Sequence, residues 1–325
     1  MMHRYGKTAT ALVLGLMFFA GVAGAADLYP TKPIRLVLPF PPGSATDVVA
    51  RIVAQKLGES LKQSVVVDSR PGANGIIASE AVAKAAPDGY TLILGSNGSH
   101  GINVSLFNKL PYDPVKDFAP ITLVGQASYF LIVGSSMPAG SVKEFIAMSK
   151  SSPGKRTLAY MASVGQLTGE LFKMTAGIDL TSVPYKNVSG AYVDLASGQL
   201  DAMFETTASS LPHVKAGRVR ALAVTSAKRS VLAPEVPTVA ESGYPGFEAT
   251  GWTAFFAPAG TPKEITAKLH TEIVRILQTP EVKEKMLQIG LEVVGSTPEQ
   301  LEEAVKVEVA KWARVIKAAN IPKMN

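Results

Sequence analysis

The chain has 325 residues, of which 47% are hydrophobic and 18% are charged, and its formal net charge is +6. It contains no cysteine, which excludes disulfides, lipid-modified cysteines and cysteine-ligated metal sites. The basic residues are dispersed along the sequence rather than gathered into a patch that could follow a phosphate backbone. We therefore expect no nucleic-acid partner.

The N-terminus has the three parts of a cleavable signal peptide. Arg4 and Lys7 form a basic start, 11–20 is an apolar stretch, and a run of small residues ends at Ala25. The apolar stretch is shorter than the roughly 20 residues that cross a bilayer, which argues against a retained membrane anchor. We predict a signal peptide at 1–25 and a periplasmic mature protein, whose net charge falls to +4 without its two basic leader residues.

After the leader, roughly 300 residues remain, a length that suits two domains. Strand-like and helix-like segments alternate in the first part of the mature chain, with short connections between them. In order, the pattern predicts a strand at 34–38, a helix capped by Asp47, a strand at 65–67, a helix at 74–85 and a strand at 90–94. Such alternation is typical of a parallel sheet covered by helices.

The middle of the chain continues this alternation, and the C-terminal part is mostly helical. The predicted elements are a helix begun by a capping box at Ser141 and Glu144, a strand at 157–160, a helix at 166–176 closed by Gly177, strands at 180–183, 202–205 and 219–224, and helices around Tyr192 and His213. Later, Thr261 and Thr297 each precede proline in a helix-start pattern, which predicts that each threonine caps a helix.

Two apolar extended stretches, 121–133 and 247–258, have the pattern of passages between domains. In that case 26–127 plus 250–325 form one discontinuous domain and 128–249 form the other. We predict a two-domain α/β protein of the clamshell type, each domain a mostly parallel sheet flanked by helices. Its cleft would be lined by loops at the carboxyl ends of strands, where open α/β sheets usually bind ligands.

Motifs that are typical of enzymes are missing from the sequence, including H-E-x-x-H, G-x-G-x-x-G and G-x-S-x-G. His213 and His270 fall in helical patterns and are expected to be surface or packing residues. His100 lies in a polar loop after a strand, where it could contact a ligand. No cluster of carboxylates and histidines suggests a metal site. We predict a protein that is not an enzyme and has neither cofactor nor metal.

Four polar loops with glycines adjoin predicted strands and helices, at 39–47, 70–75, 95–99 and 162–166. Taken singly, each fits an ordinary turn. Together they could converge on one cleft, where free backbone N–H groups at helix N-termini favour a carboxylate without a buried arginine. The predicted ligand-binding residues are Phe40, Pro41, Pro42, Gly43, Ser44, Ala45, Asn74, Ser96, Asn97, Ser163, Val164, Gly165, Gln166 and Glu205.

Two charged residues near these loops have alternative roles. Arg70 could add positive charge to the cleft, although a structural ion pair is the role we expect. Glu205 ends a predicted strand and either accepts a hydrogen bond from the ligand or caps the amides of Thr207 and Ala208.

A series of motifs, found in order along nearly the whole mature chain, resembles one known family. These motifs are Tyr29-Pro30-x-Lys32-Pro33-Ile34-Arg35, Pro39-Phe40-Pro41-Pro42-Gly43 with Asp47, Arg70-Pro71-Gly72-Ala73, Pro87-Asp88-Gly89-Tyr90-Thr91-Leu92, Leu110-Pro111-Tyr112-Asp113, Gly169-Glu170-Leu171-Phe172, Val183-Pro184-Tyr185-Lys186, Val236-Pro237-Thr238 and Ala257-Pro258-Ala259-Gly260-Thr261-Pro262. By these residues the chain resembles the tripartite tricarboxylate transporter substrate-binding proteins, also called Bug-type receptors.

The resemblance implies a two-domain periplasmic receptor in which backbone groups and bridging waters hold a ligand carboxylate. Carried over to this sequence, the first-domain loop is 40–45, and the second domain contributes 163–166 and the position of Glu205. A membrane permease of one large and one small subunit is the implied partner.

The sequence departs from the family pattern at several of these positions. Ser44 replaces a frequent glycine, Val164, Gln166 and Leu167 lie where glycines followed by a His-Leu pair are common, and Glu205 replaces a frequent aspartate. These departures leave the far end of the ligand open.

We predict reversible capture of a small mono- or dicarboxylate by a monomer, without chemistry. Two alternatives stay open at this point. One is a sensory protein that presents its ligand-bound state to a membrane signalling partner, and the other is a periplasmic enzyme acting on the same acids. The sequence does not identify the acid.

Overall fold

The computed structural model describes residues 29–325, so the predicted signal peptide at 1–25 lies outside the described residues. The strands of the described part are β1 (Ile34–Leu38), β2 (Val65–Ser69), β3 (Thr91–Ser96), β4 (Phe118–Ala127), β5 (Tyr129–Gly134), β6 (Thr157–Tyr160), β7 (Thr181–Pro184), β8 (Ala202–Thr206), β9 (Val219–Val224), β10 (Gly251–Pro258) and β11 (Glu292–Val293). They form a six-stranded sheet and a five-stranded sheet.

Helices cover both sheets. They are α1 (Ala45–Leu61), α2 (Ile76–Ala83), α3 (Asn103–Leu106), α4 (Val142–Ser151), α5 (Ser163–Ala176), α6 (Val188–Ser197), α7 (Thr207–Lys215), α8 (Lys263–Leu277), α9 (Pro280–Gln288) and α10 (Pro298–Ala318), with a short 3-10 turn at Ala73–Gly75 and a π-helical turn at Gly98–Ile102. In the part of the chain that the structure describes, none of these helices has the length and apolar character of a membrane span.

The first sheet has the strand order β11-β4-β10-β3-β1-β2. Its β1 pairs in parallel with β2 and β3, whereas β10 runs antiparallel to β3 and β4. The direction of β10 follows from the path of the chain. The chain leaves this sheet at the end of β4, at the edge where β1, β2 and β3 also end. It returns at the start of β10 across the same edge, so β10 runs in the opposite direction to these strands.

The second sheet has the order β7-β6-β8-β5-β9 and is built on the same plan. Here β6 pairs in parallel with β7 and β8, while the incoming strand β5 is antiparallel to β8 and β9. The predicted two-sheet α/β class is confirmed. Both sheets are mixed: four of the six strands of the first sheet and four of the five strands of the second run in one direction, and β10, β11 and β5 run against them.

The chain passes between the sheets at two adjacent places. Ser128 alone separates β4 of the first sheet from β5 of the second, and the return path runs from Val224 to Gly251. The predicted passages at 121–133 and 247–258 contain these points. The return path is hydrogen-bonded to the second sheet at its start, where the amide of Thr225 donates to the Tyr129 carbonyl of β5, and its end folds back on its start, where the amide of Ala249 donates to the Thr225 carbonyl, each at 2.9 Å.

Hydrophobic side chains are buried on both faces of each sheet. Along β10 the alternation of a strand sends Phe256 into one core and Phe255 into the other. Both rings are at most 2% exposed, and each such burial stabilises the fold by about 1.5–3 kcal/mol.

Helix α10 packs against the cores of both sheets. Its first half places Leu301 and Val305 in a core of the first sheet. Its second half places Trp312 and Val315 in a core of the second sheet, together with Phe172 of α5. The C-terminal helix therefore contacts both halves of the molecule.

Helix starts follow the predicted capping chemistry at some positions and not at others. The cap of α1 is Ser44 rather than Asp47, because the Ser44 hydroxyl accepts a hydrogen bond from the Asp47 amide at 3.2 Å. At α8 the cap is Pro262, and the Thr261 hydroxyl donates to the Pro258 carbonyl instead. At α10 the predicted capping box is confirmed.

The helix start at α4 has only half of its predicted box. Ser141 accepts from the amide of Glu144, but the Glu144 carboxylate accepts from the amide of Gly140 rather than from that of Ser141.

Thr297 offers a test of capping. Its hydroxyl accepts from the Gln300 amide at 3.2 Å. We expect Thr297→Ala to lower the free energy of unfolding by about 1 kcal/mol, and Thr297→Ser, which keeps a hydroxyl at the cap, by less than about 0.5 kcal/mol. Urea denaturation of both variants measures the difference, and equal losses would contradict the assignment.

Candidate functional site

A cavity of about 770 Å³ lies where the carboxyl edges of the two sheets meet. Its walls come from the loops after β1, β2 and β3, from the start of β10, and from the ends of β6 and β8. The lining residues are Pro39, Phe40, Pro41, Ala45, Thr46, Pro71, Gly72, Ala73, Asn74, Gly75, Ser96, Asn97, Gly98, Ser99, Ile102, Asn103, Leu106, Ala127, Ala162, Ser163, Val164, Thr206, Gly251, Trp252, Thr253, Ile289, Gly290 and Leu291.

The start of α1 presents free backbone amides to this cavity. The Ser44 hydroxyl accepts a hydrogen bond from the Asp47 amide at 3.2 Å, and the Ser44 carbonyl accepts one from the Val48 amide at 3.0 Å. The amides of Ala45 and Thr46 precede these in the first turn, where a helix offers no internal acceptor, and they have no hydrogen-bond partner within residues 29–325. Both residues line the cavity.

Asp47 orders the loop before α1. Its carboxylate is buried and accepts hydrogen bonds from the Gly43 amide and from Arg51 Nε, both at 2.9 Å. The bond from Arg51, assisted by the one from Gly43, holds the pKa of Asp47 below its usual value of 3.8 against the effect of burial. Gly43 has φ +83°, a left-handed conformation that glycine adopts without strain.

The start of α5 presents amides from the other half of the molecule. Its cap residue is Ala162, which has no side-chain oxygen to accept a bond, and the Ala162 carbonyl accepts only from the Gln166 amide at 3.0 Å. The amides of Ser163, Val164 and Gly165 therefore have no acceptor among the described residues. Helix α5 begins at Ser163, three residues before the predicted start at 166. Most of the predicted polar loop at 162–166 is therefore the first turn of this helix.

These two helix N-termini give the cavity a positive potential. Helices α1 and α5 have 17 and 14 residues, long enough for the aligned peptide dipoles to place about half a positive charge at each N-terminus. Anions bind at such termini through the free amides. The arrangement can therefore hold a carboxylate with backbone groups from either half or from both.

The loop before α2 adds Asn74 to the wall through a strained backbone. Ala73 and Asn74 have φ +45° and +52° although neither is glycine, a conformation that costs about 1–3 kcal/mol. The Asn103 side chain holds it in place by donating to the Asn74 carbonyl at 3.0 Å.

The end of β3 connects the cavity to the return path between the sheets. Asn97 is 6% exposed, and its side-chain amide donates to the Thr250 carbonyl at 3.3 Å. Its neighbour Ser96 faces Thr253 across the β3–β10 pair. The hydroxyl of Thr253 is buried and has no hydrogen-bond partner among the described residues.

His100 does not reach the cavity, and the idea that it contacts a ligand was wrong. It is fully buried and stacked on Phe256, with ring centroids 4.3 Å apart, and its Nδ1 lies 2.9 Å from the Ser99 hydroxyl. Burial lowers the pKa of His100 to about 3, so the ring is neutral at physiological pH. Gly95 makes room for the ring, because a Cβ there would lie 2.5 Å from its Cε1.

Glu205 is not among the lining residues, but it lies beside one of them. It pairs with Phe130, whose ring belongs to the core on the α6 side of the sheet, whereas its neighbour Thr206 lines the cavity. The Glu205 carboxylate accepts from the Thr206 amide and hydroxyl at 2.8 and 3.0 Å. It does not cap Thr207, whose amide donates to the Ser128 carbonyl.

The predicted ligand-binding residues fall into two groups. Those that line the cavity are Phe40, Pro41, Ala45, Asn74, Ser96, Asn97, Ser163 and Val164. Those outside the lining are Pro42, Gly43, Ser44, Gly165, Gln166 and Glu205. Their role in binding stays a prediction for both groups. Arg70 pairs with Asp68 at 2.9 Å, the structural role that we expected for it.

Sequence reasoning missed several wall residues from distant segments. Gly251 to Thr253 and Ile289 to Leu291 bring apolar surface to the cavity, as do Ile102 and Leu106 after the third strand. The first of these groups lies inside the predicted passage at 247–258, a signal that could have suggested it. The others follow no local motif.

Comparison with known proteins identifies the family. The family model described as the tripartite tricarboxylate transporter family receptor matches residues 49–321. The chain belongs to this family. Protein BugT of Bordetella pertussis is 39% identical over 316 residues, which cover 95% of this chain and 97% of that protein. The predicted family is therefore confirmed, and its members are periplasmic solute-binding receptors.

Two solved structures extend the comparison to the fold. One is an R. palustris protein with adipate, 38% identical, with a TM-score of 0.73 over 91% of this chain and 100% of that chain. The other is MatC from Rhodopseudomonas palustris with bound malate, 33% identical, with a TM-score of 0.70 over 89% and 100%.

The buried Asp47 provides a test of how the first loop is ordered. Asp47→Asn removes charge-assisted bonds to Gly43 and Arg51, so we expect the free energy of unfolding at pH 7 to fall by about 1.5–3 kcal/mol. The folded-state pKa of Asp47 is depressed, so its contribution is complete above the unfolded value of 3.8 and is lost as the pH falls through the lower folded value.

Urea denaturation of the wild type and Asp47→Asn at pH 7 and at acid pH measures this dependence. The difference in the free energy of unfolding between the two proteins should become smaller below pH 3.8. A difference of the same size at both pH values would mean that the ionised carboxylate does not order the loop.

Proposed function

We propose that this receptor captures a small mono- or dicarboxylate in the cavity between its two sheets and releases it unchanged. The observation that carries the proposal is the pair of helix N-termini, α1 and α5, whose free amides open into one cavity from opposite halves. Backbone N–H groups at such termini favour carboxylates. Relatives at 38% and 33% identity were solved with adipate and malate, both dicarboxylates.

In this proposal the two halves are domains that close on the ligand. The first consists of 26–127 plus 250–325 and the second of 128–249, with the two passages at Ser128 and Thr250 as the hinge. The loop at 40–46, which leads into α1, and the first turn of α5 at 163–166 hold the ligand through backbone groups and bridging waters.

Delivery of the cargo completes the proposed role. A signal peptide at 1–25 directs the chain to the periplasm, where the monomeric receptor passes its ligand to a permease of one large and one small membrane subunit. Support for this part comes from membership of the transporter family.

A panel of acids tests the binding step directly. Purified protein, unfolded and refolded to remove any co-purified ligand, would be titrated by calorimetry with succinate, malate, adipate, citrate and benzoate. We expect at least one acid to bind with one-to-one stoichiometry, to raise the melting temperature and to be recovered unchanged. If none of these acids binds, or if a bound acid is converted to a product, the proposed function is contradicted.

Ser44→Asp tests the position of the carboxylate. Aspartate caps helices as well as serine does, so stability should be retained. The added charge lies one residue from the free amides of Ala45 and Thr46, and its repulsion should weaken binding of the acid at least about tenfold. Ser44→Asn is the matched control, since it caps the helix without adding charge. Similar affinities for the two variants would mean that the anion binds elsewhere.

A further inference from the structure

The turn before α2 contains four consecutive residues with positive φ. Gly72, Ala73, Asn74 and Gly75 have φ +123°, +45°, +52° and +84°, and all four line the cavity. Glycine adopts such angles freely and asparagine more readily than most residues, whereas alanine does so only with strain. An isolated chain would seldom populate this turn, so contacts elsewhere in the folded protein must hold it.

The turn at 72–75 is closed by a backbone hydrogen bond and packed from one side. The Gly75 amide donates to the Gly72 carbonyl at 2.9 Å. Gly75 also lies close to two other loops of the cavity wall, because a Cβ at this position would be 3.0 Å from the Cβ of Pro39 and 3.4 Å from that of Ser99. The turn is therefore built into the wall.

A chain of side-chain hydrogen bonds links this turn to the interior. Asn103 is 1% exposed, and its side-chain nitrogen donates to the Asn74 carbonyl at 3.0 Å and to the Tyr112 hydroxyl at 3.3 Å. The Tyr112 hydroxyl donates in turn to the Ser99 carbonyl at 2.6 Å. The two hydrogens of the Asn103 amide thus each have an acceptor, and the orientation of this amide depends on Tyr112.

Tyr112 itself is not among the residues that line the cavity. Its ring is buried in a core of the first sheet and meets Phe118 edge-on, with ring centroids 5.8 Å apart. Packing of the ring fixes the position of the hydroxyl. Tyr112 belongs to the motif Leu110-Pro111-Tyr112-Asp113, to which the cavity lining assigns no role.

We propose that Tyr112 is a positioning residue for ligand binding: through Asn103 it holds the turn at 72–75 in its positive-φ conformation before a ligand arrives. Affinity falls in proportion when the conformation that binds is only partly populated in the free protein. A wall that is already formed avoids this loss. The proposal rests on the proposed function, because the turn is part of the wall of the cavity assigned to the ligand.

Tyr112→Phe tests the proposal, with Tyr29→Phe as its matched control. Both tyrosines are 5% exposed, and each donates to a backbone carbonyl, Tyr112 to Ser99 at 2.6 Å and Tyr29 to Gly89 at 2.7 Å. Gly89 precedes β3 and so lies at the sheet edge opposite the cavity. In calorimetric titrations with succinate, malate and adipate, Tyr112→Phe should weaken binding about tenfold, whereas Tyr29→Phe should not. Urea denaturation measures the stability that each variant loses.

Hydrogen exchange of the Gly75 amide reports on the turn without any ligand. Its bond to the Gly72 carbonyl exists only while the turn is closed, and exchange follows local opening. We expect this amide to exchange at least about tenfold faster in Tyr112→Phe than in the wild type. Its rate in Tyr29→Phe should stay close to that of the wild type.

A second substitution separates positioning from general damage to the core. Ala73→Gly removes the strained alanine, so the turn depends less on the hydrogen bonds that hold it. Tyr112→Phe should therefore weaken binding of the acid about tenfold in the wild-type background and less than about threefold in the Ala73→Gly background. Equal losses in the two backgrounds would mean that Tyr112→Phe acts through general damage, which would overturn the proposal.

Each remaining result decides between the claims. Equal exchange of the Gly75 amide in Tyr112→Phe and Tyr29→Phe would overturn the proposal and leave the proposed function intact. Faster exchange with unchanged affinity would overturn it too, because the turn would then have no part in binding. If none of the acids binds the wild type, the proposed function fails and the role in binding fails with it. The exchange rates would still decide whether Tyr112 holds the turn.

Discussion

The site depends on a constraint that every α-helix shares: the amides of its first turn have no acceptor within the helix. In this protein two such turns, one from each sheet, open into the same cavity. The local sequence preserves this. The Asp47 carboxylate accepts from Gly43 rather than from the free amides of Ala45 and Thr46, and Ala162 lacks the oxygen with which a serine would cap α5.

The second feature that positions the site is the route of the chain between the sheets. The two passages at Ser128 and near Thr250 lie side by side, since Gly251 pairs with Ala127. The Ser128 carbonyl accepts from the Thr207 amide, and the Asn97 side chain donates to the return passage at Thr250. Because strands enter and leave each sheet at its cavity edge, both sheets are mixed and both present their carboxyl ends to the same space. Helix α10, which packs on both halves, spans the same junction.

The sequence predicted seven of the eleven strands of the described part and the extended character of the two passages, which contain β5 and β10 and most of β4, since these depend on local periodicity. The strand β11 was not predicted. Features that depend on tertiary packing could not be predicted. The hydrogen bonds that Glu205 makes to Thr206 are one example. The burial of the polar loop at His100 is another, because Gly95 and Phe256 accept its ring. The wall at 289–291 lies against Ala208, which is about 80 residues away along the chain, a proximity that no local pattern encodes.

The most direct measurement of the central claim is the response of individual amides to ligand. In ¹⁵N-resolved NMR spectra recorded during titration with a bound dicarboxylate, the account predicts that the amides of Ala45 and Thr46, with those of Ser163 and Val164, shift most strongly downfield, because they gain a charged acceptor. Unchanged amides at both helix N-termini in a saturated complex would contradict it.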